Sequence, residues 1–212
     1  MARILITSGP TRQYIDPVRY ISNASSGRMG CCLVEAALAA GHEVVLVSGP
    51  VDIQYPSEAE LFSVLTTEDM LDAATKLFAD CDGMIGVAAP CDYKPVEVAD
   101  HKIRKTGEAL ELKLIETPDV VASLGANKQS HQWTVGFALE TEDARFRAIT
   151  KLQKKNCDLV VLNGPAAINA SDNEVEIIAP DGTVIQSIKG PKATIASQIL
   201  AIIEKRLISN AN

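Results

Sequence analysis

The sequence predicts an α/β fold. We expect a Rossmann-like, doubly wound, mostly parallel sheet, with an additional strand and hairpin region outside the regular alternation. Three observations carry this. Short aliphatic runs such as Ile4-Leu5-Ile6, Val44-Val45-Leu46-Val47 and Gly83-Met84-Ile85-Gly86-Val87-Ala88-Ala89 show no wet face, as strands buried on both sides require. These runs alternate with stretches of helical period in the order β-α-β-β-α-β. The core is aliphatic, because hydrophobic residues make up 47% of the chain and aromatics only 4%.

Taken in order, Ile4–Thr7 is the first strand, and a long polar loop follows it. Helix 1 is expected from about Ser26 to Ala40, with Met29, Leu33, Ala36, Ala37 and Ala40 on one face, capped at its end by Gly41. Glu43–Val47 and Leu61–Leu65 are the next strands. Thr67 is expected to cap a second helix, with Glu68 and Asp69 in its first turn and Met70, Ala73, Ala74, Leu77 and Phe78 facing the core. Gly83–Ala89 is a fourth strand. Leu110, Leu112 and Leu114 alternate with polar residues and predict a strand with one wet face.

A short helix follows Thr117-Pro118-Asp119, and Trp133–Ala138 is another sheet strand. A helix over about 143–156 has Phe146, Ile149 and Leu152 as its core face, and Asp158–Leu162 is a strand. Val175–Ile178 and Val184-Ile185 flank Pro180-Asp181-Gly182, a hairpin turn signal. A last helix over about 191–207 carries Ile195, Ile199, Ile202 and Ile203, and 209–212 is expected to fray. The whole of 1–212 is expected to be a single domain, with a mobile loop at about 91–109.

The net charge of −7, with a pI near 5.0, argues against a nucleic-acid binder, which needs a basic stripe. No run approaches the roughly 18 apolar residues of a membrane span, and Met1-Ala2-Arg3 leads straight into a strand without a secretory leader pattern. The five cysteines (31, 32, 81, 91, 157) show no metal or CxxC spacing and read as reduced thiols of a cytoplasmic protein.

A strand, a small-residue loop and a helix start make an anion site, because the first amides of the helix lack partners and its dipole favours negative charge. This loop ends in Ser25-Ser26-Gly27-Arg28-Met29-Gly30. It is not the dinucleotide motif. Gly9 is followed by Pro10, the helix opens about sixteen residues later, and the second strand ends in Ser48-Gly49 instead of an acidic residue. A Walker loop is also absent.

Four further features invite an anionic ligand, and each has a plainer reading. Arg12, Arg19 and Asn23 are cations and an amide on the first loop, or simply surface polarity, and Ser25 and Ser26 are expected to cap helix 1 in either case. Asp92-Tyr93-Lys94 follows the fourth strand, where ligands of such sheets sit, or is a turn before Pro95. Lys102-Ile103-Arg104-Lys105 could close over a polyphosphate or be a solvated charge run. Arg147, Lys151 and Lys155 form a helical stripe, or a basic outer face near a helix C-terminus. Together they place three basic patches around a phosphate cradle in an acidic chain. A nicotinamide- or flavin-linked oxidoreductase and a non-catalytic nucleotide-binding subunit remain the alternatives.

The run Thr7–Arg12, Ile15–Asn23 and Ser25–Gly30 resembles phosphopantothenoylcysteine synthetase (phosphopantothenate–cysteine ligase) of the bacterial, CTP-dependent type. The resemblance continues through Ala88-Ala89, Asp92-Tyr93, Lys102–Lys105, Thr117–Asp119, Gly136–Ala138 and Glu140-Thr141. It implies a ligase of coenzyme A biosynthesis that joins 4′-phosphopantothenate and L-cysteine through an acyl-cytidylate, releasing CMP and pyrophosphate. It implies CTP favoured over ATP, magnesium, a homodimer, and no flavin in this chain. The match begins at the synthetase's first strand, as in a stand-alone synthetase domain, and a separate phosphopantothenoylcysteine decarboxylase is a candidate partner.

By resemblance, Asn23 and Lys102 are catalytic. Asn23 handles the acyl-nucleotide, and Lys102 helps to form it. The nucleotide side comprises Gly9, Ser25, Ser26, Asp92, Lys102, Pro118, Asp119, Val120, Val121, Phe137, Lys151 and Lys155. The substrate side comprises Arg19, Asn23, Gly27 and Ala89. Pro90-Cys91 replaces the family's usual Val-Ala, and Arg28 stands where Lys is usual. Cys91 is read as a packing thiol, with no basic partner visible. The dimer is expected to form through the Leu110–Leu114 strand and the 174–185 hairpin.

Overall fold

A computed structural model of the chain describes residues 1–139, 142–164 and 172–209. Strand β1 (Arg3–Ser8) is followed by a small ribbon, β2 (Arg12–Tyr14) and β3 (Tyr20–Ser22), then helix α1 (Arg28–Ala39) and β4 (Glu43–Ser48). Next come β5 (Glu60–Ser63), α2 (Thr67–Phe78) and β6 (Gly83–Gly86). β7 (Tyr93–Pro95) and β8 (Leu114–Glu116) bracket a long connection. α3 (Val120–Asn127), β9 (Trp133–Leu139), α4 (Ala144–Lys154), β10 (Leu159–Asn163), β11 (Asp172–Ile178), β12 (Val184–Pro191) and α5 (Lys192–Ile203) complete the chain, with a π-helical turn at Glu204–Ile208. The expectations for 140–141 and 210–212 lie outside the described residues.

The main sheet runs β5-β4-β1-β6-β9-β10-β11-β12. All neighbours from β5 to β10 are parallel, and β11 and β12 join antiparallel. The six parallel strands have the doubly wound order, so the direction in which successive strands are added reverses between β1 and β6. Successive residues of β1 bury opposite faces. Ile4 and Ile6 lie under α1 and α5, whereas Leu5 lies under α2 with Val45, Met84 and Leu124 of α3. α4 covers that second face further along, over Val160 and Leu162. No helix among the described residues is long and apolar enough to cross a membrane.

Several expected boundaries move, each for a local reason. α1 begins at Arg28 and not at Ser26. Gly27, left-handed at φ 73°, is its N-cap, and its carbonyl accepts from Cys31 N at 3.0 Å. Ser25 and Ser26 therefore do not cap the helix, and Ser25 Oγ instead accepts from Gly27 N at 3.4 Å. At the other end Gly41 N donates to Leu38 O and His42 N to Ala37 O, the Schellman pair, as Gly41 predicts. Ala40 is exposed, and Val34 takes the core position instead.

Thr66, not Thr67, caps α2, in a reciprocal box with Asp69. The 110–114 strand is displaced to Leu114–Glu116, because its partner β7 ends at Pro95, which pairs with Leu114. Leu110 and Leu112, left without a sheet to lie on, are 53% and 40% exposed. Phe146 is 74% exposed, and α4 buries Ala148 and Leu152 in its place.

The expected first loop contains the β2–β3 ribbon, whose strands Arg12–Tyr14 and Tyr20–Ser22 are too short and polar to announce themselves. The 174–185 hairpin is present, longer than expected, with Gly182 at φ 84° in its turn.

Candidate functional site

A cavity of about 320 Å³ opens at the carboxyl ends of β1, β6 and β9. Thr7, Gly86 and Ala88 form its floor, Pro90–Tyr93 one wall, and Glu116–Val121 another. Phe137, Lys154 and Lys155 close the third side. This is the place where a doubly wound sheet exposes strand ends on both sides of its reversal.

The chain positions these walls through buried polar contacts. Cys91 O accepts from Thr67 Oγ1 at 3.1 Å and from Thr117 Oγ1 at 2.5 Å, while Thr117 N donates to Asp92 O at 2.9 Å. Thr11 Oγ1 shares a hydrogen with Thr67 Oγ1 and accepts from Cys91 N, both at 2.8 Å. The Pro90-Cys91 substitution is thus accommodated. Cys91 is 2% exposed, its Sγ donates to Thr11 O and Ile21 O, and burial pushes its thiol up. That is a packing thiol, as read from the sequence. All five cysteines are free thiols.

Asp119 caps α3, with Oδ1 accepting from Ala122 N at 3.0 Å, and its Oδ2 lies 2.9 Å from Lys155 Nζ. Lys155 sits at the end of α4, where its N–H donates to Lys151 O. The cavity thus has one cation already held beside a carboxylate, at a helix C-terminus that favours it.

Asn23 stands at the rim. Its Nδ2 donates to Pro90 O at 2.8 Å and to Ala89 O at 3.3 Å, while Ala89 N donates to Gly9 O at 2.9 Å. The loops leaving β1 and β6 therefore run side by side, joined also by a Pro10–Ala89 bridge. Ser8 Oγ donates to Gly27 O and accepts from Tyr55 OH, so the start of α1 is fastened to the end of β1. No side chain caps the first turn of α1.

Of the residues singled out from the sequence, Asp92, Pro118, Asp119, Val120, Val121, Phe137 and Lys155 line the cavity together. Gly9, Asn23, Ser25, Ser26, Gly27 and Ala89 belong to the adjoining loops. Lys102 and Lys151 are exposed and do not line it. Arg12 and Arg19, offered as cations for an anion, both have internal partners. Arg12 lies 4.5 Å over the Tyr20 ring, and Arg19 pairs with Asp16 at 2.6 Å. Lys94 pairs with Glu68.

The sequence pattern does not single out Lys154, which lines the cavity, or Asp16, which is buried. A spacing of four selects Lys151 and Lys155, but the chain leaves the helix after Lys154, so Lys154 and Lys155 both reach the cavity. Asp16 follows an isoleucine in what reads as a polar loop, and nothing local marks it as buried.

Among the described residues, no three His, Cys, Asp or Glu side chains gather to hold a metal. Asp92 and Glu116 line the cavity, and Asp119 is committed to the cap of α3 and to Lys155, so the described side chains do not make a metal site by themselves.

Comparison with known proteins follows the same outline. Residues 1–207 match the family model described as DNA/pantothenate metabolism flavoprotein C-terminal domain. The chain is 40% identical over 207 residues to the coenzyme A biosynthesis bifunctional protein CoaBC of Vibrio vulnificus (strain YJ016), covering 95% of this chain and 51% of that protein. It is 41% identical over 184 residues to the CoaBC protein of Bacillus subtilis (strain 168), covering 84% and 45%. The chain thus spans about half the length of the curated relatives it matches.

The crystal structure of a CoaBC C-terminal domain superposes with a TM-score of 0.81 at 36% identity, covering 98% of this chain and 96% of that one. A Cab2 variant in complex with phosphopantothenate-cysteine shares the fold, with a TM-score of 0.75 at 18% identity over 99% and 89% of the two chains. The motifs of the first strand and loop, the reversal-point cavity and these relatives agree, and the chain belongs to the DNA/pantothenate metabolism flavoprotein C-terminal domain family.

Proposed function

We propose that this chain is the phosphopantothenate–cysteine ligase of coenzyme A biosynthesis, using CTP. The carboxylate of 4′-phosphopantothenate attacks the α-phosphorus of CTP, and pyrophosphate leaves. The amine of cysteine then attacks the acyl carbon, and CMP leaves. Both steps bring anions or polyanions together, so neutralising charge and holding the reactants in place are the main tasks. The observation that carries this reading is the cavity at the carboxyl ends of β1, β6 and β9, with the Asp119–Lys155 pair in its lining and Asn23 bonded to Pro90 at its rim.

In this reading cytosine and ribose occupy the Asp92–Asp119–Phe137 cavity. The triphosphate extends toward the amides of α1 and the Ser25-Ser26-Gly27 turn, with Lys151 and Lys155 and the loop lysine Lys102 supplying positive charge. Magnesium carried by the triphosphate would neutralise phosphate oxygens. Asn23 commits both amide hydrogens to Ala89 and Pro90, which leaves its Oδ1 to face the acyl-nucleotide. Arg19, Gly27 and Ala89 frame the phosphopantothenate side. A homodimer, a cytoplasmic location and a separate decarboxylase partner belong to the same reading. The exposed Tyr93, Leu112, Leu114 and Ile115 around the β7–β8 ribbon supply apolar surface for the dimer.

The test is a pyrophosphate-release assay with phosphopantothenate, cysteine and either CTP or ATP. Release that requires phosphopantothenate, faster with CTP, is expected. No release with either nucleotide refutes the ligase, and faster release with ATP refutes the CTP preference.

A further inference from the structure

The connection between β7 and β8 carries Lys102, yet at 96–113 it forms no strand or helix. It is not adrift. Among the described residues, the hydrogen bonds tying the interior of this loop to the rest of the chain all land on the turn of the β2–β3 ribbon. Ala99 N donates to Ile15 O at 3.1 Å, Ile103 N to Asp16 Oδ2 at 3.2 Å, and Arg19 Nη2 to Ile103 O at 2.6 Å.

Asp16 is the centre of this junction. It is 0% exposed, and its two oxygens do different work. Oδ1 accepts from the amides of Val18 and Arg19, both at 2.8 Å, and so shapes the turn. Oδ2 accepts from Arg19 Nε at 2.9 Å and Nη2 at 2.6 Å, and from Ile103 N. The guanidinium, fixed in plane by the carboxylate, grips the carbonyl of the same residue whose N–H the carboxylate holds. Ile103 is thus clasped at both its backbone groups, and its neighbour Lys102 is set in place.

We propose that Asp16 is a positioning residue which, with Arg19, latches the Lys102 loop in its working position. It touches no reacting atom, and it acts by fixing the main chain beside Lys102. This rests on the reading of Lys102 as the cation that assists acyl-nucleotide formation. A buried charge is retained here because every lone pair has a donor, and removing the charge frees the loop without emptying the core.

Asp16→Asn separates the two oxygens. An amide whose oxygen keeps the Val18 and Arg19 N–H groups turns its NH₂ toward the donors of Arg19 and Ile103, so the turn stays and the latch opens. Two readouts are taken on the intact chain. The first is tryptic cleavage after Lys102, Arg104 and Lys105 without ligand, relative to cleavage after Lys205 and Arg206. The second is CTP-dependent pyrophosphate release.

The variant is expected to raise loop cleavage by about tenfold and to lower kcat by about tenfold or more. KM for CTP should rise less than kcat falls, because the cavity walls are untouched and only the contribution of Lys102 is loosened. Ile103→Pro, which deletes the donated N–H and leaves Asp16 intact, should reproduce both effects if Asp16→Asn fails to fold, with cleavage read after Arg104 and Lys105 because trypsin does not cut before proline. Unchanged cleavage overturns the latch. So does faster cleavage with kcat retained, or a rise in KM at constant kcat. If the wild-type chain releases no pyrophosphate, the ligase reading falls on its own, and the cleavage comparison still decides the latch.

Discussion

The start of α1 is where the fold and the proposed chemistry meet, and Gly30→Ala tests it. On propensity alone the change should help, since alanine in a helix is favoured over glycine by about 1 kcal/mol. Packing opposes it. A Cβ on Gly30 would lie 2.0 Å from Ser8 Oγ and 2.6 Å from Ser8 Cβ. Rotating Ser8 relieves the first contact at the expense of its bonds to Tyr55 and Gly27, but the second involves an atom fixed to a fully buried strand. Carbon–carbon contacts settle near 3.5–4.0 Å, so the first turn of α1 must retreat by about 1 Å.

Overpacking of this kind costs about 1–3 kcal/mol, so after the propensity gain of about 1 kcal/mol a net loss of about 0–2 kcal/mol is left. A 1 Å displacement of groups that hold phosphate can lower turnover by about a hundredfold. Urea unfolding and pyrophosphate release from CTP measure the two effects. Adding Ser8→Gly removes both obstructing atoms, leaving Val87 Cγ1 at 3.5 Å as the nearest contact, and most of the turnover should return. If Gly30→Ala is instead about 1 kcal/mol more stable and fully active, the helix start is not set by contact with β1 and the phosphate argument loses its geometry.

Other changes separate structural from chemical roles. Lys155→Met should leave unfolding within about 1 kcal/mol, since its pair with Asp119 is partly exposed, and raise KM for CTP by about tenfold; an unchanged KM would confine Lys155 to that pair. Asn23→Asp sets a carboxylate oxygen where Nδ2 now stands 2.8 Å from Pro90 O, so pyrophosphate release should continue while conversion to the cysteine amide falls, and normal ligation would remove Asn23 from the mechanism. Cys91→Ala should cost about 1 kcal/mol in urea with activity nearly retained, whereas a loss of activity on the order of a hundredfold would make the thiol chemical.

The acid limb of stability follows from Asp16. Burial pushes its carboxyl up, but the amides of Val18, Arg19 and Ile103 and the Arg19 guanidinium more than offset this and hold it at about 2, below the ordinary 3.8. Its contribution is therefore present above about pH 4 and lost as pH falls toward 2. The difference in melting temperature between wild type and Asp16→Asn should shrink across that window, and a constant difference would refute the assignment.

The legible part of the fold is the part whose signal is local. β1, β4, β6, β9 and β10 are buried on both faces, and their aliphatic runs say so. Gly41 and Asp119 announce helix ends because each acts through its own backbone or side chain. α1 starts at Arg28 and not at Ser26 because its cap, Gly27, has no side chain to signal with, while the two serines before it do. The 110–114 alternation is real, but alternation records a wet face only where a sheet is present, and β7 is too short to supply one. The β2–β3 ribbon could not be seen because its ties lie far along the chain, at Leu65, Cys91 and Ile103. The same holds for Asp16, whose burial depends on a loop that closes on it from Ile103.

The ribbon also explains how a sheet of dinucleotide-binding order dispenses with the short glycine turn of that motif. In the dinucleotide motif a short glycine turn joins strand to helix and sets the helix start at the reversal point. Here residues 10–26 intervene, yet the helix start is not carried away. Gly9 and Gly27, at φ 72° and 73°, mark the two ends of the excursion, and a Cβ on either would meet the same Val51 Cγ1 at 2.9 Å. The excursion therefore leaves and returns at one point, pinched against Val51. The geometry of a short turn is kept at its base, and the added length is free to form a ribbon. That ribbon and its return segment bring Asn23 to the β6 loop and Asp16 and Arg19 to the Lys102 loop, groups a direct glycine turn has no room to carry.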